Sequence, residues 1–194
     1  VIRALPLLTV ALLATPALAA SQEAGLAVEV AGGLAVPTGS LSSGTGTGES
    51  VSAGSSLGIS FVSPRSERLA LRLGFTQHRF GCSDAGCGTP DEYVVTGLNV
   101  GMRASLLPGA SAAPWLGAAL ISARAETQGL AAPDDGVSSH ALGLEVGGGF
   151  VVPAGQAASL RPAVAWALAN PKLPGGETLS LRYFTAQLIL EVRF

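Results

Sequence analysis

Eight ionisable side chains recur inside segments that are otherwise apolar or small: Glu29, Arg72, Arg103, Arg124, Glu126, Glu145, Arg161 and Glu191. Carboxylates and guanidinium groups are equal in number, so the set can neutralise itself in a low-dielectric interior. The same set could line a narrow polar conduit or a proton path. Mutual satisfaction is the simpler expectation, because buried charges of both signs pair before they do anything else.

The other residues with chemical potential point to little. Asp134, Asp135, Ser138 and His140 contain the members of a hydrolytic triad, but closeness in sequence is not triad geometry. They read as a polar loop entering a strand. Asp134-Asp135-Gly136 offers two adjacent carboxylates, far short of a calcium ligand set. Gly44-Thr45-Gly46-Thr47-Gly48 lacks the Lys-Ser/Thr of a phosphate loop and reads as a flexible loop tip. Cys82 and Cys87 are the two cysteines, with no His or further Cys beside them. In an exported chain they are expected to form a disulfide stapling one loop rather than a metal site. No catalytic, metal or cofactor motif is assigned.

The elements that position these groups follow from alternation with period two. In Tyr183–Phe194, Phe184, Ala186, Leu188, Leu190, Val192 and Phe194 share one face; Tyr183, Thr185, Gln187, Ile189, Glu191 and Arg193 share the other. A strand separates these sets and a helix mixes them. Similar splits place Glu29, Arg72, Arg103, Glu145 and Arg161 opposite Leu, Val and Phe sets in five upstream segments. A further segment, Ala53–Phe61, sets Leu57, Ile59 and Phe61 against Gly and Ser. The segment Trp115–Glu126 alternates less cleanly. Its charges assign Leu116, Ala118, Leu120, Ser122, Arg124 and Glu126 to the inner face, and Trp115, Ala119, Ile121 and Ala123 to the outer one.

Eight such strands, each about ten residues or longer, suit a tilted bilayer crossing. Their connections alternate between long and short. The long ones are Thr38–Ser50, Gly81–Glu92, Thr127–Ser139 and Asn170–Thr178; the short ones start at Ser63, Pro108 and Pro153. Long external loops and tight periplasmic turns are the asymmetry of an outer-membrane barrel. The expected fold is therefore an all-β, eight-stranded antiparallel up-and-down transmembrane barrel over residues 21–194. Strand direction puts Glu29, Arg72, Arg103, Arg161, Glu191 and Arg193 in the periplasmic half of the lumen. It puts His78, Arg124, Glu126 and Glu145 in the outer half.

Residues 1–20 read as a secretory signal: Arg3, an apolar run from Ala4 to Pro16, and small residues at Ala17 and Ala19. The apolar run is short for a membrane span. Charged residues make up only 12% of the chain and the net charge is −2, which gives no electrostatic footprint for nucleic acid.

The last strand, Leu188-Ile189-Leu190-Glu191-Val192-Arg193-Phe194, resembles the C-terminal signal of bacterial outer-membrane proteins. The resemblance implies that Leu190, Val192 and Phe194 are read by the outer-membrane assembly machinery. The mature chain is similar to small barrels of the OmpA, OmpX and OmpW type, and Pro114-Trp115-Leu116-Gly117-Ala118-Ala119-Leu120 resembles a strand often seen there. Aromatic residues are only 5%, so the interfacial girdle is sparse, with Phe75, Tyr93, Trp115, Phe150, Trp166 and Phe194 as its expected members. The implied partners are outer-membrane lipid and the assembly machinery; the surface ligand is unspecified. Three functions follow in order: a non-enzymatic structural or surface-interaction barrel, a narrow channel or apolar-solute carrier of the OmpW type, and a lipid-modifying enzyme. Lipid A deacylases, also small barrels, carry a His-x-Ser pattern; here Ala141-Leu142 follow His140 and Arg79-Phe80 follow His78, so that pattern is absent.

Overall fold

A computed structural model describes residues 25–38, 51–81, 92–128, 137–172, 176 and 178–194. The expected signal segment and the Cys82–Cys87 pair lie outside the described residues, as do Gly44–Gly48 and Asp134–Gly136.

Eight strands form a closed barrel in which each pairs with its sequence neighbours. They are β1 (Ala27–Pro37), β2 (Gly54–Pro64), β3 (Leu69–Gly81), β4 (Glu92–Ser105), β5 (Ala113–Gln128), β6 (Ala141–Pro153), β7 (Ala158–Ala169) and β8 (Leu181–Arg193). All neighbouring pairs are antiparallel, and β8 closes on β1 from Ala27↔Arg193 to Pro37↔Tyr183. Closure leaves no unpaired strand edge, so the wall satisfies its own backbone groups, as a structure in hydrocarbon must. Pro162 lacks an N–H, and the β6–β7 ladder skips the Phe150–Val151 stretch opposite it.

The tight turns sit at one end. In the β2–β3 turn Ser66 Oγ accepts from the Arg68 and Leu69 amides at 3.3 and 3.1 Å. Gly109, between β4 and β5, has φ of 84°, a conformation that L side chains avoid. Inside the barrel, small residues are required where strands curl toward one another. A Cβ on Gly147 would stand 2.7 Å from Ala165 Cβ and from Val164 O.

Alternation sorts the two faces. Outward positions carry Val30, Leu57, Ile59, Leu73, Phe75, Leu98, Val100, Leu116, Leu120, Leu144 and Leu188, all exposed. Monomeric soluble proteins rarely expose a contiguous apolar belt of this extent. Acyl chains cover such a belt at no cost, since they are as apolar as leucine. Inward positions carry Gly, Ala, Ser and Thr, the charged groups, and a few large residues such as Phe80, Trp115, Ile121 and Tyr183.

One strand differs from expectation. In β5, Leu116 and Leu120 face out, while Ile121 (4% exposed), Ala123 and Ala125 face in. Arg124 and Glu126 therefore do not belong to the lumen; their side chains are 39% and 36% exposed and pair with each other at 3.6 Å. The reason is register. Arg103 faces in and pairs with Gly117, and residues paired across an antiparallel ladder share a face. That sends Trp115, Ala119 and Ile121 inward. Arg124 and Glu126 stand near the loop end of the longest strand, where an outward charge is not held at the bilayer midplane.

Candidate functional site: the two-layer lumen

The lower layer of the lumen, at the end bearing the tight turns, is ionic. Glu29 on β1 and Glu191 on β8 are register partners, so two carboxylates stand side by side on the inner face. Like charges in contact demand cations between them. Arg103 from β4 reaches across and supplies one: its Nη1 donates to Glu29 Oε1, and its Nη2 donates to Glu191 Oε2 at 2.8 Å. Arg161 from β7 supplies a second, with Nη2 2.7 Å from Glu191 Oε2 and Nε 3.8 Å from Glu29 Oε1. Arg72 from β3 stands 3.4 Å from both Glu29 Oε2 and Glu145 Oε1, which ties β6 into the set. Arg193 Nε donates to the remaining oxygen of Glu191 at 3.0 Å. Glu29, Arg72, Arg103, Glu145, Arg161 and Glu191 come from six of the eight strands, each of which would otherwise carry a lone buried charge; together the six are neutral. The Arg103 guanidinium also lies 5.6 Å from the centre of the Trp115 ring, a cation–π contact.

A polar belt follows. Arg72 Nε donates to Ser60 Oγ at 3.0 Å, and Gln187 Nε2 donates to Ser56 Oγ at 2.6 Å. The space between Glu29, Arg72, Trp115, Glu145 and Gln187 is a void of only about 40 Å³.

The upper layer is apolar. Phe80, Val95, Ile121, Leu181 and Tyr183 form one buried cluster with Ala35, Ala123, Ala167 and Ala169. His78 lies at its lower edge. Its ring is 4.7 Å from Tyr183, and its Nδ1 shares a 2.9 Å hydrogen bond with Ser56 Oγ. Phe80 meets Tyr183 edge-on at 5.7 Å and is fully buried. Val51 and Leu179, just outside the strands, belong to the same cluster.

Of the predicted lumen charges, Glu29, Arg72, Arg103, Arg161, Glu191 and Glu145 come together, and Arg124 and Glu126 stand outside. The predicted charged outer half is instead the apolar layer, and Glu145 reaches down to Arg72 rather than up. Two expected girdle members, Trp115 and Tyr93, are inward and buried, while Phe75, Phe150 and Phe194 are exposed. Leu190 and Phe194 of the terminal strand face outward. His140 is exposed, and no cluster of metal-ligating side chains occurs among the described residues. Phe80 went unassigned in the sequence, although it continues the inward parity of Arg72, Thr76 and His78.

The chain is thus an eight-stranded barrel of the kind that small outer-membrane proteins use, with an apolar belt outside and a filled lumen. Among solved structures it is similar to Neisserial surface protein A, at a TM-score of 0.69 and 18% identity over 88% of this chain and 97% of that one. It is similar also to the outer membrane protein OprG of Pseudomonas aeruginosa (TM-score 0.55, 16% identity, 88% and 97% covered). The outer membrane protein W of E. coli gives a TM-score of 0.52 and 20% identity over 90% of this chain and all of that one. No family model and no curated protein sequence matches.

Proposed function

We propose that the protein is a non-enzymatic outer-membrane barrel whose role is structural or surface-interacting, exercised through the segments that join β1–β2, β3–β4, β5–β6 and β7–β8. The observation that carries this reading is the double seal of the lumen. Phe80, Leu181 and Tyr183 pack the upper layer, and Glu29, Glu191, Arg103 and Arg161 lock the lower one. An eight-stranded barrel is barely wide enough to be filled by its own side chains, and this one is closed by them at the ionic layer and again at the apolar one. The exposed apolar belt supports residence in a bilayer, and the similarity to small outer-membrane barrels supports the outer membrane in particular.

Three further parts belong to the same proposal. Residues 1–20 are removed on export, Cys82 and Cys87 form a disulfide, and the assembly machinery reads Leu190, Val192 and Phe194 during insertion. The apolar lining of the upper layer favours a second reading, a carrier of small apolar solutes, over an open ion channel. Planar-bilayer recording of the folded protein tests the seal. We expect no steady conductance above the lipid baseline; stepwise open-channel currents would contradict it. Fractionation tests the location: the protein should migrate heat-modifiably and sediment with outer membranes, and recovery from the soluble periplasm would overturn the membrane claim.

A further inference from the structure

The ionic layer is also the floor of an open vestibule. At the turn end of the barrel a cavity of about 790 Å³ lies on the axis, within the size range of small-molecule sites. Five arginines and two glutamates line it, a side-chain excess of three positive charges; Glu29, just behind Arg103, lowers that side-chain excess to two. The arginines differ in what they have left to give. Arg103 and Arg161 are engaged by the buried carboxylates, and Arg193 by Glu191. Arg65 and Arg68, in the β2–β3 turn, make no ion pair with any described residue and stand exposed at the rim. In addition, two buried donors among the lining residues have no hydrogen-bond partner: the Trp115 indole N–H and Arg161 Nε, on residues that are 9% and 4% exposed. A buried donor without an acceptor is a free-energy cost that an incoming oxygen atom would relieve.

We propose that this vestibule binds a soluble oxyanion, a carboxylate or phosphate group that enters from water along the barrel axis. Planar guanidinium groups at the rim match either group through two parallel N–H···O bonds. The cationic cavity concentrates anions, and its low-dielectric walls focus the field. Lipid phosphates are disfavoured by position: the cavity lies inside the wall, whereas headgroups surround its outside. Only the compartment that the mouth faces, the periplasm, rests on the outer-membrane reading. The chemistry of the cavity does not.

The test uses the whole folded chain in an uncharged maltoside detergent, with inorganic phosphate and an acetylated tetraglutamate peptide as probes. Trp166→Phe leaves Trp115 as the single indole, so its emission reports the vestibule. Calorimetry and this emission should both show saturable binding of at least one probe. Arg65→Gln with Arg68→Gln should weaken it at least tenfold while heat-modifiable migration stays unchanged, since both side chains lie on an exposed turn. Arg124→Gln, outside the lumen at the far end, should leave the affinity as it was. The proposal is overturned if neither probe binds saturably, if the double variant binds like the parent, or if binding appears only in nanodiscs of anionic lipid and never with the soluble probes. Conductance, which tests the sealed lumen, is read separately, so failure of one claim leaves the other to stand or fall by its own result.

Discussion

The two layers of the lumen solve the same packing problem with opposite chemistry. In the lower one, Glu29 and Glu191 face each other across a strand pair, and three arginines from β3, β4 and β7 converge on them. Direction and charge decide that arrangement: each guanidinium has a named carboxylate, and moving one strand by a residue would break several bonds at once. In the upper one, Phe80, Tyr183, Leu181 and Ile121 meet through shape alone, with the Ser56–His78 bond as the polar seam beneath. The difference teaches where each chemistry fits. Large rings fill a cross-section with few atoms to satisfy; ion pairs can join strands on opposite sides of the barrel, as Arg103 joins β1, β4 and β8.

If the lower layer is a dry, mutually dependent network, removing one carboxylate should hurt most. Glu191→Gln takes one carboxylate from Arg103, Arg161 and Arg193 together and leaves Arg72, Arg103 and Arg161 with only Glu29 and Glu145, one buried positive charge uncompensated. We expect a loss of about 3–5 kcal/mol in urea unfolding from lipid vesicles, the range for an orphaned buried charge. A loss under ~1 kcal/mol would mean that water already screens the layer. The upper layer should respond to volume instead. Leu181→Ala should cost about 2–4 kcal/mol from the cavity it leaves, and the loss should not change with salt. The seam is weaker: Ser56→Ala removes hydrogen bonds to His78 and Gln187 and should cost about 1 kcal/mol by the same assay. Smallest of all is Arg124→Met. Its ion pair with Glu126 is partly exposed, so the expected change is below about 1 kcal/mol and shrinks further in high salt. A loss as large as that of Glu191→Gln would return Arg124 to the lumen.

The β5 strand marks what alternation could and could not deliver. Seven strands carry a large apolar set against a small or charged one, and their faces follow from that contrast. In β5 both sets mix Ala with large residues, so size does not separate the faces and only charge is left to do so. Charge is a guide to the inner face only at bilayer depth; near the loop end an arginine faces out freely. The pairing partner was the better signal, because Arg103 opposite Gly117 fixes the parity of the whole strand. Trp115 illustrates a related limit. An aromatic near a strand end suggests an interfacial girdle, but here the ring lies beside the Arg103 guanidinium inside the barrel. The ionic residues were legible by parity and approximate height. Their partners were not, since which arginine meets which glutamate depends on how far the long side chains reach across the lumen. The unpaired arginines of the vestibule rim were invisible for a different reason: a turn sequence does not reveal that its charges ring a cavity.

Facing direction can be read directly from transferred magnetisation between detergent acyl chains and assigned methyl groups in the folded protein. The methyls of Leu73, Leu98, Leu116, Leu120 and Leu188 should show strong contacts to the acyl chains, and those of Ile121, Leu181 and Ile189 none. Acyl contacts at Ile121 and Ile189, with Leu98 and Leu188 silent, would contradict the account.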